Sequence, residues 1–125
     1  MSEIYLAGGC FWGLEEYFSR INGVTKTTVG YANGTTEATD YQQVHTTDHA
    51  ETVHVTYDEA VISLTDILRY YFRVIDPLSI NKQGNDVGRQ YRTGIYYSVD
   101  TDLPVINKAV AHQRQKLGTE LAVEI

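Results

Sequence analysis

The order of strand and helix patterns along the chain is the strongest constraint on its fold. Apolar residues recur at helical spacing in three stretches, 11–21, 64–75 and 103–117. The second stretch follows a Ser63-x-x-Asp66 capping box and stops before Pro77, and the third stops at Gly118. Strand patterns separate the helices, most clearly in "ETVHVTYD", and they occupy 4–8, 24–31, 51–58, 94–99 and 121–125. The predicted order is β-α-β-β-α-β-α-β.

The first six of these elements match the split βαβ, ferredoxin-like unit, in which an antiparallel sheet carries its helices on one face. We therefore predict an α+β fold. It is a two-layer α/β sandwich with a ferredoxin-like β-α-β-β-α-β core and one additional helix and strand. The chain has 125 residues, 42% of them hydrophobic and 21% charged, which is typical of one globular domain. We assign residues 1–125 to that domain.

This topology brings the irregular parts of the sequence to one place. The first and third strands are antiparallel neighbours, so Cys10, after the first, lies at the same sheet edge as Glu51, which starts the third. The polar segment 32–50 leads back to that edge. The segment 77–93, which has neither helical nor strand period, leads to it as well. Long connections of this kind are usually functional, so we predict a site around Cys10.

Charge and composition exclude several classes of function. The net charge is −6 and no Lys/Arg cluster is present, which argues against nucleic acid as the main partner. No apolar run approaches the roughly 20 residues that cross a bilayer, and "MSEIYLAGG" does not read as a signal peptide. The single Cys cannot form an internal disulfide, which fits a reducing compartment, so we expect a cytoplasmic protein without a membrane partner.

Cys10 lies at a predicted strand-to-helix turn. The unpaired N–H groups of a helix N-terminus favour an anion and lower the pKa of a thiol there. This position indicates a reactive cysteine, and the alternative is a small buried hydrophobic side chain. Because no second Cys follows, a CxxC redox pair and a multi-cysteine zinc site are excluded.

Two aromatic residues follow the cysteine. Trp12 lies off the apolar stripe of the first helix and should point away from its core face. With Phe11 it could wall an apolar pocket beside the thiol. The alternative for Phe11 is an ordinary core position.

Glu51 shares a strand face with Val53, Val55 and Tyr57, so its carboxylate is directed to the apolar side. Desolvation raises the pKa of a carboxyl group and keeps it protonated near neutral pH, which makes Glu51 a candidate general acid. The alternative is a frayed strand end in water.

The remaining polar candidates lie mainly in the long connections. Tyr41 and Tyr91 suit hydrogen bonding to a polar oxygen of a ligand, and Asp86 could bind a ligand or water, although Asn-Asp-x-Gly is also ordinary turn chemistry. His45, His49 and His54 show no familiar ligand spacing, and His54 faces away from Glu51 on its strand. We predict no metal site.

Five segments together resemble A-type peptide methionine sulfoxide reductases: "GGCFWG", "GYANG", "DYQQVHTTDHAETVHVTYD", "DP" and "GNDVGRQYRTGIYY". The resemblance runs in order over nearly the whole chain. It implies that Cys10 is the nucleophile and that Glu51 protonates the sulfoxide oxygen. It also implies that Tyr41 and Tyr91 hydrogen-bond that oxygen.

The same resemblance implies the remaining roles and the partners. Asp86 belongs to the supporting polar shell, and Phe11 and Trp12 form the pocket for the S-methyl group. The substrate is methionine S-sulfoxide, free or in proteins, which is reduced through a Cys10 sulfenic acid. No cofactor is implied beyond an external thiol reductant such as thioredoxin, glutaredoxin or dithiothreitol.

The sequence departs from the family in two respects. Many members carry later resolving cysteines, whereas these residues contain none. Members also usually continue for several tens of residues beyond the strand matching "LAVEI", so we expect the chain to be C-terminally short relative to the family. Two alternatives remain open: another Cys-dependent redox enzyme of the thiol peroxidase kind, or a catalytically weak ferredoxin-like binding module.

Overall fold

A computed structural model describes most of the chain, namely residues 2–9, 11–32, 50–75, 82–83, 86–87, 91–118 and 121–125. Its three helices are α1 (Phe11–Ser19), α2 (Leu64–Val74) and α3 (Leu103–Leu117). Its strands are β1 (Ser2–Ala7), β2 (Val24–Ala32), β3 (Ala50–Tyr57), β4 (Lys82–Gln83), β5 (Asp86–Val87), β6 (Thr93–Tyr96) and β7 (Val123–Glu124). Within these ranges, no helix combines the length and the apolar character needed to cross a membrane.

Five strands form the main sheet, in the order β2-β3-β1-β6-β7. β1 lies between β3 and β6 and is antiparallel to both, and β2 is antiparallel to β3. β7 is parallel to β6 and extends the sheet at that edge. The order β2-β3-β1-β6 and the directions of these four strands are those of the ferredoxin-like unit, so the predicted α+β fold is confirmed.

The core lies between the sheet and the helices. Alternate residues of the central strands point to one face, and all three helices contribute apolar side chains to the cluster on that face. Its largest members include Ile4, Leu6, Phe18, Val53, Tyr57, Ile67, Leu68, Tyr71, Ile95 and Ile106. Because the helices share one cluster with one face of the sheet, the domain has two layers.

The helix ends follow the signals in the sequence. The Ser63 hydroxyl accepts a hydrogen bond from the backbone N–H of Asp66 at 3.1 Å, which caps α2. Gly118 ends α3 with a left-handed φ of 72°, and its N–H donates to the Arg114 carbonyl. These contacts satisfy backbone groups that the helices themselves leave unpaired.

Two local expectations were inaccurate beyond small shifts of strand ends, such as that of β6, which ends at Tyr96 rather than at 99. α1 ends at Ser19 rather than Ile21, because the Ile21 N–H donates to Phe18 three residues back and tightens the chain into a turn. The segment 77–93 was expected to have no regular structure, yet β4 and β5 form a short antiparallel ribbon in it. Strands of two residues are too short for a periodic pattern to reveal.

Candidate active site

Two glycines shape the turn that precedes Cys10. A Cβ atom on Gly8 would lie 2.5 Å from Cγ2 of Ile75, so only glycine permits this close approach to the end of α2. Gly9 has a φ of 77°, a left-handed conformation that other residues adopt at a cost. Cys10 itself lies outside the described residues. The residues on either side of it, Gly9 and Phe11, are described.

Tyr71 of α2 stabilises the strands that lead into this turn. Its hydroxyl lies 2.5 Å from the carbonyl oxygen of Ala7 and 3.1 Å from that of Gly94, and it shares its proton between them. Ala7 and Gly94 are paired residues of β1 and β6, so this hydroxyl ties the helical layer to both strands where they reach the turn. Burial raises the pKa of the Tyr71 phenol well above its ordinary value, so the phenol stays neutral and can donate.

Glu51 occupies the first part of β3, directly beside the start of α1. Its side chain is 1% exposed, so it does not sit at a frayed strand end in water. Its Oε1 accepts a hydrogen bond from the backbone N–H of Phe11 at 3.3 Å. Phe11 is the first residue of α1, where backbone N–H groups lack helical partners. The carboxyl group is therefore held at the residue that follows Cys10.

Tyr91 reaches the same turn from the other side. Its backbone carbonyl accepts a hydrogen bond from the Gly9 N–H at 3.1 Å, and the residue is half-buried. Glu51 and Tyr91 thus contact the residues immediately after and immediately before Cys10. This juxtaposition follows the sheet-edge geometry expected from the sequence.

The aromatic residues after the cysteine have different environments. Phe11 is 6% exposed and belongs to the core, whereas Trp12 is 61% exposed. Their rings meet edge to face with centroids 5.2 Å apart, and the Phe11 ring also lies 5.5 Å from that of Tyr31. Phe11 therefore acts as a core residue that supports Trp12, and Trp12 presents an open apolar surface beside the turn.

The other predicted site residues are only partly described. Tyr41 lies outside the described residues, together with His45 and His49. The backbone of Asp86 lies in β5 and pairs with Gln83. The Gln83 side chain donates to the Thr93 hydroxyl at 2.9 Å, which ties the β4–β5 ribbon to the start of β6. The ribbon therefore approaches the strand that begins two residues after Tyr91.

An ion pair between a buried arginine next to Tyr91 and a partly exposed glutamate was not foreseen. Arg92 is 5% exposed, and its Nε lies 2.5 Å from Oε2 of Glu124 in β7. The Tyr96 hydroxyl donates to the same carboxylate oxygen at 3.3 Å. The pair fastens β7 to the residue that follows Tyr91. Arg92 meets Glu124 because β7 pairs in parallel with β6. A strand of two residues has too short a pattern for the sequence to predict that pairing.

His54 lies on the sheet face opposite the core. It pairs with Glu3 at 2.8 Å and stacks on Tyr5 at a centroid distance of 4.6 Å. The hydrogen bond from His54 lowers the pKa of the Glu3 carboxyl, and one from Ser98 adds to the effect. His54 is therefore engaged away from the turn at Cys10.

Comparison with known proteins places this arrangement in a family. The family model described as peptide methionine sulfoxide reductase matches residues 2–125. Mxr1 of Saccharomyces cerevisiae in reduced form is 37% identical with a TM-score of 0.90, and the match covers 98% of this chain and 74% of that one.

Two further solved structures are similar. Methionine sulfoxide reductase A of Corynebacterium diphtheriae is 32% identical with a TM-score of 0.88, over 98% of this chain and 64% of that one. Mxr1 in complex with Trx2 is 30% identical with a TM-score of 0.73, over 98% of this chain and 73% of that one. This chain thus spans only part of the length of these relatives. Because the family model matches residues 2–125, the chain belongs to the peptide methionine sulfoxide reductase family.

Proposed function

We propose that this chain reduces methionine S-sulfoxide, free or in proteins, to methionine, with Cys10 as the nucleophile and Glu51 as the acid. The observation that carries the proposal is the buried Glu51 carboxyl group, which is hydrogen-bonded to the residue after the only cysteine of the chain. A thiol and an acid at adjacent positions are the two groups that sulfoxide reduction needs.

The chemistry requires both groups together. The sulfur of a sulfoxide becomes electrophilic when its oxygen is protonated or strongly hydrogen-bonded, so attack by a thiolate must be accompanied by acid assistance. The oxygen passes from the substrate sulfur to the cysteine sulfur, and the products are methionine and a cysteine sulfenic acid. The methionine sulfur gains two electrons and the cysteine sulfur loses two.

Burial supports the acid role of Glu51. A carboxyl group removed from water favours its neutral form, and a neutral carboxylic acid has a proton to give. The N–H of Phe11 accounts for one oxygen of this group and fixes its orientation. The charged form that remains after proton transfer keeps this hydrogen bond and also faces the N-terminal end of α1, which favours an anion.

The remaining residues bind and orient the substrate in this proposal. Tyr41 and Tyr91 hydrogen-bond the sulfoxide oxygen, and Asp86 supports the polar side of the site. Phe11 and Trp12 form the pocket for the S-methyl group, with Trp12 as the exposed wall and Phe11 as the buried ring behind it. The exposed indole of Trp12 and its edge-to-face contact with the buried Phe11 ring suit that role, because the contact fixes an accessible apolar surface.

Regeneration of Cys10 requires an external thiol, since these residues include no second cysteine. One thiol attacks the sulfenic sulfur with loss of water, and a second releases Cys10 by thiol–disulfide exchange. A thioredoxin or glutaredoxin suits this step, and the complex of the similar Mxr1 with the thioredoxin Trx2 supports the former. We place this repair reaction in the cytoplasm, where a lone catalytic thiol stays reduced, and we assign it to a single domain of residues 1–125.

Mass spectrometry after a single turnover tests the proposal. Reduced protein is mixed with one equivalent of methionine S-sulfoxide without reductant, and the expected products are free methionine and a chain heavier by about 16 Da, or its trapped sulfenic adduct. Cys10→Ser is the matched control and should retain less than roughly a hundredth of the activity. Substantial activity in that variant would contradict the assignment. A much faster reaction with peroxide than with methyl sulfoxides would favour the peroxidase alternative, and an unreactive Cys10 would favour the binding module.

A further inference from the structure

A groove of about 440 Å³ lies between α2 and α3, in the helical layer. Its floor is apolar and consists of Phe72 from α2 and Val105 and Ala109 from α3. These three side chains are half-buried and pack against the core from outside. The floor therefore offers apolar surface that the domain itself covers only in part.

Basic side chains form both rims of this groove. Arg69 and Arg73 stand one turn apart on α2, and Lys108, His112 and Lys116 stand at successive four-residue intervals on α3. All five are exposed. Among the described residues that line the groove, none is acidic. Two rows of basic side chains, with two Arg on one and two Lys on the other, therefore face each other across an apolar floor.

This concentration of positive charge contrasts with the rest of the protein. The chain carries a net charge of −6, yet four of its ten Lys and Arg residues line this groove. Within the part of the chain that the structure describes, intramolecular partners offset little of this charge. Arg69 has an ion pair of 3.5 Å with Asp66 in which both side chains are exposed, and Arg73 lies over the Tyr70 ring at 5.5 Å. Like charges across a groove repel, and an anionic occupant would remove that repulsion.

We propose that this groove docks an acidic, amphipathic helical segment of a partner protein. The floor calls for apolar side chains on one face of the occupant, and the rims call for carboxylates on its flanks. The α3 side of the groove runs from Val105 to Lys116, which is about 16 Å of helix and matches an occupant of about three turns.

Fluorescence anisotropy with designed peptides tests this docking surface. The probe is a labelled helical peptide of about 14 residues with Leu at i, i+3, i+4 and i+7 and Glu at most other positions. One control peptide replaces each Leu with Gln, and another replaces each Glu with Lys. We expect measurable binding of the Leu/Glu peptide at about 0.15 M salt and at least a tenfold weaker affinity for both controls.

Matched variants locate the binding. The double variant Arg73→Glu, Lys108→Glu should weaken binding of the Leu/Glu peptide at least tenfold, whereas Arg20→Glu, Lys26→Glu, which makes the same charge change outside the groove, should leave it within about twofold. Thermal unfolding and sulfoxide reduction should be unchanged in both, which separates this proposal from the proposed catalysis. Loss of binding without loss of activity supports the groove.

Three results would overturn the proposal. The first is no binding of the Leu/Glu peptide even at millimolar concentration and low salt. The second is equal binding by the groove variant and the control variant. The third is that an oligo-dT strand, inorganic phosphate or phosphatidylserine vesicles bind more tightly than the Leu/Glu peptide and are equally sensitive to the groove variant. That result would assign the basic rims to a nucleic acid, a small anion or a membrane surface.

Discussion

The backbone N–H of Phe11 donates to Oε1 of Glu51 at 3.3 Å, although the two residues are 40 positions apart in the chain. The contact joins the start of α1 to β3 and holds a buried carboxyl group at the residue that follows Cys10 in the chain. It also means that the proposed acid is held by the backbone of the residue that follows the proposed nucleophile.

Glu51→Gln should slow the chemical step by about 10²- to 10⁴-fold, because the amide still accepts the Phe11 N–H but cannot deliver a proton. Single-turnover release of methionine at neutral pH measures this step. Glu16→Gln, at an exposed site on α1, is the control and should react normally. A near-normal rate for Glu51→Gln would move the acid role to Tyr41 or Tyr91.

Oxidation of the 125-residue chain by substrate should stop at one methionine per chain. These residues supply one thiol, so the thiol count should fall from one to zero and no intramolecular disulfide should appear on a non-reducing gel. Addition of a monothiol should restore turnover by attack on the sulfenic sulfur. A burst of two methionines per chain before any reductant is added would require a second reducing group.

Arg92→Gln should lower the free energy of unfolding by about 1.5–3 kcal/mol, because it removes a charge-assisted hydrogen bond from a buried side chain to the partly exposed Glu124 carboxylate. Arg69→Gln breaks the exposed pair with Asp66 and should change stability by less than about 1 kcal/mol. Chemical denaturation of both variants gives the comparison. Equal losses would mean that burial of Arg92 adds nothing to its pair with Glu124.

Gly8→Ala should be destabilising by about 1–3 kcal/mol, since its Cβ would meet Cγ2 of Ile75 at 2.5 Å. Ile75→Ala removes that methyl group and has its own cost as a core truncation. The double variant should therefore be more stable than the sum of the two single effects predicts. Simple additivity in denaturation experiments would show that the contact with Ile75 is not the reason for glycine at this position.

Stability should decline at alkaline pH because of a buried tyrosine. Burial raises the pKa of Tyr57 to about 12, and the nearby carboxylates of Asp102 and Glu59 act in the same direction. In the unfolded chain this phenol ionises near its ordinary value of about 10. Its contribution is therefore fully present below about pH 10 and is lost as the pH rises towards 12.

Denaturant unfolding between about pH 8 and pH 12 measures this decline. Tyr57→Phe should make the free energy of unfolding fall less steeply above pH 10, because the variant has no phenol to ionise at this position. Tyr97→Phe, at a half-buried tyrosine just after β6, is the control for loss of a phenol. An unchanged slope in Tyr57→Phe would assign the alkaline decline to other groups.

Much of this architecture was predictable because its signals are local. Alternation in "ETVHVTYD" predicted the core face of β3, and Ser63 and Gly118 marked helix ends that the structure retains. The nearness of Glu51 to the cysteine turn followed from strand order. It depended only on which strands are neighbours, which the order of elements already restricts.

Other features were not predictable because they depend on exact register or on a single atom. Arg92 meets Glu124 only through the parallel pairing of a two-residue strand. Tyr71 looked like one more apolar residue in the α2 stripe, yet its hydroxyl joins two strand carbonyls. A periodic pattern reports which face a side chain occupies, and it does not report the partner of a polar atom at the tip.

The hydrogen bond from Gly9 to Tyr91 has a consequence for how the protein acquires activity. It connects Gly9, just before Cys10, to a residue that lies 82 positions later in the chain, while the proposed acid comes from a third, separate segment. Contacts between such distant residues require closure of long loops and form after local structure. A chain emerging from the ribosome therefore carries its thiol long before it carries the surroundings that we propose make the thiol reactive.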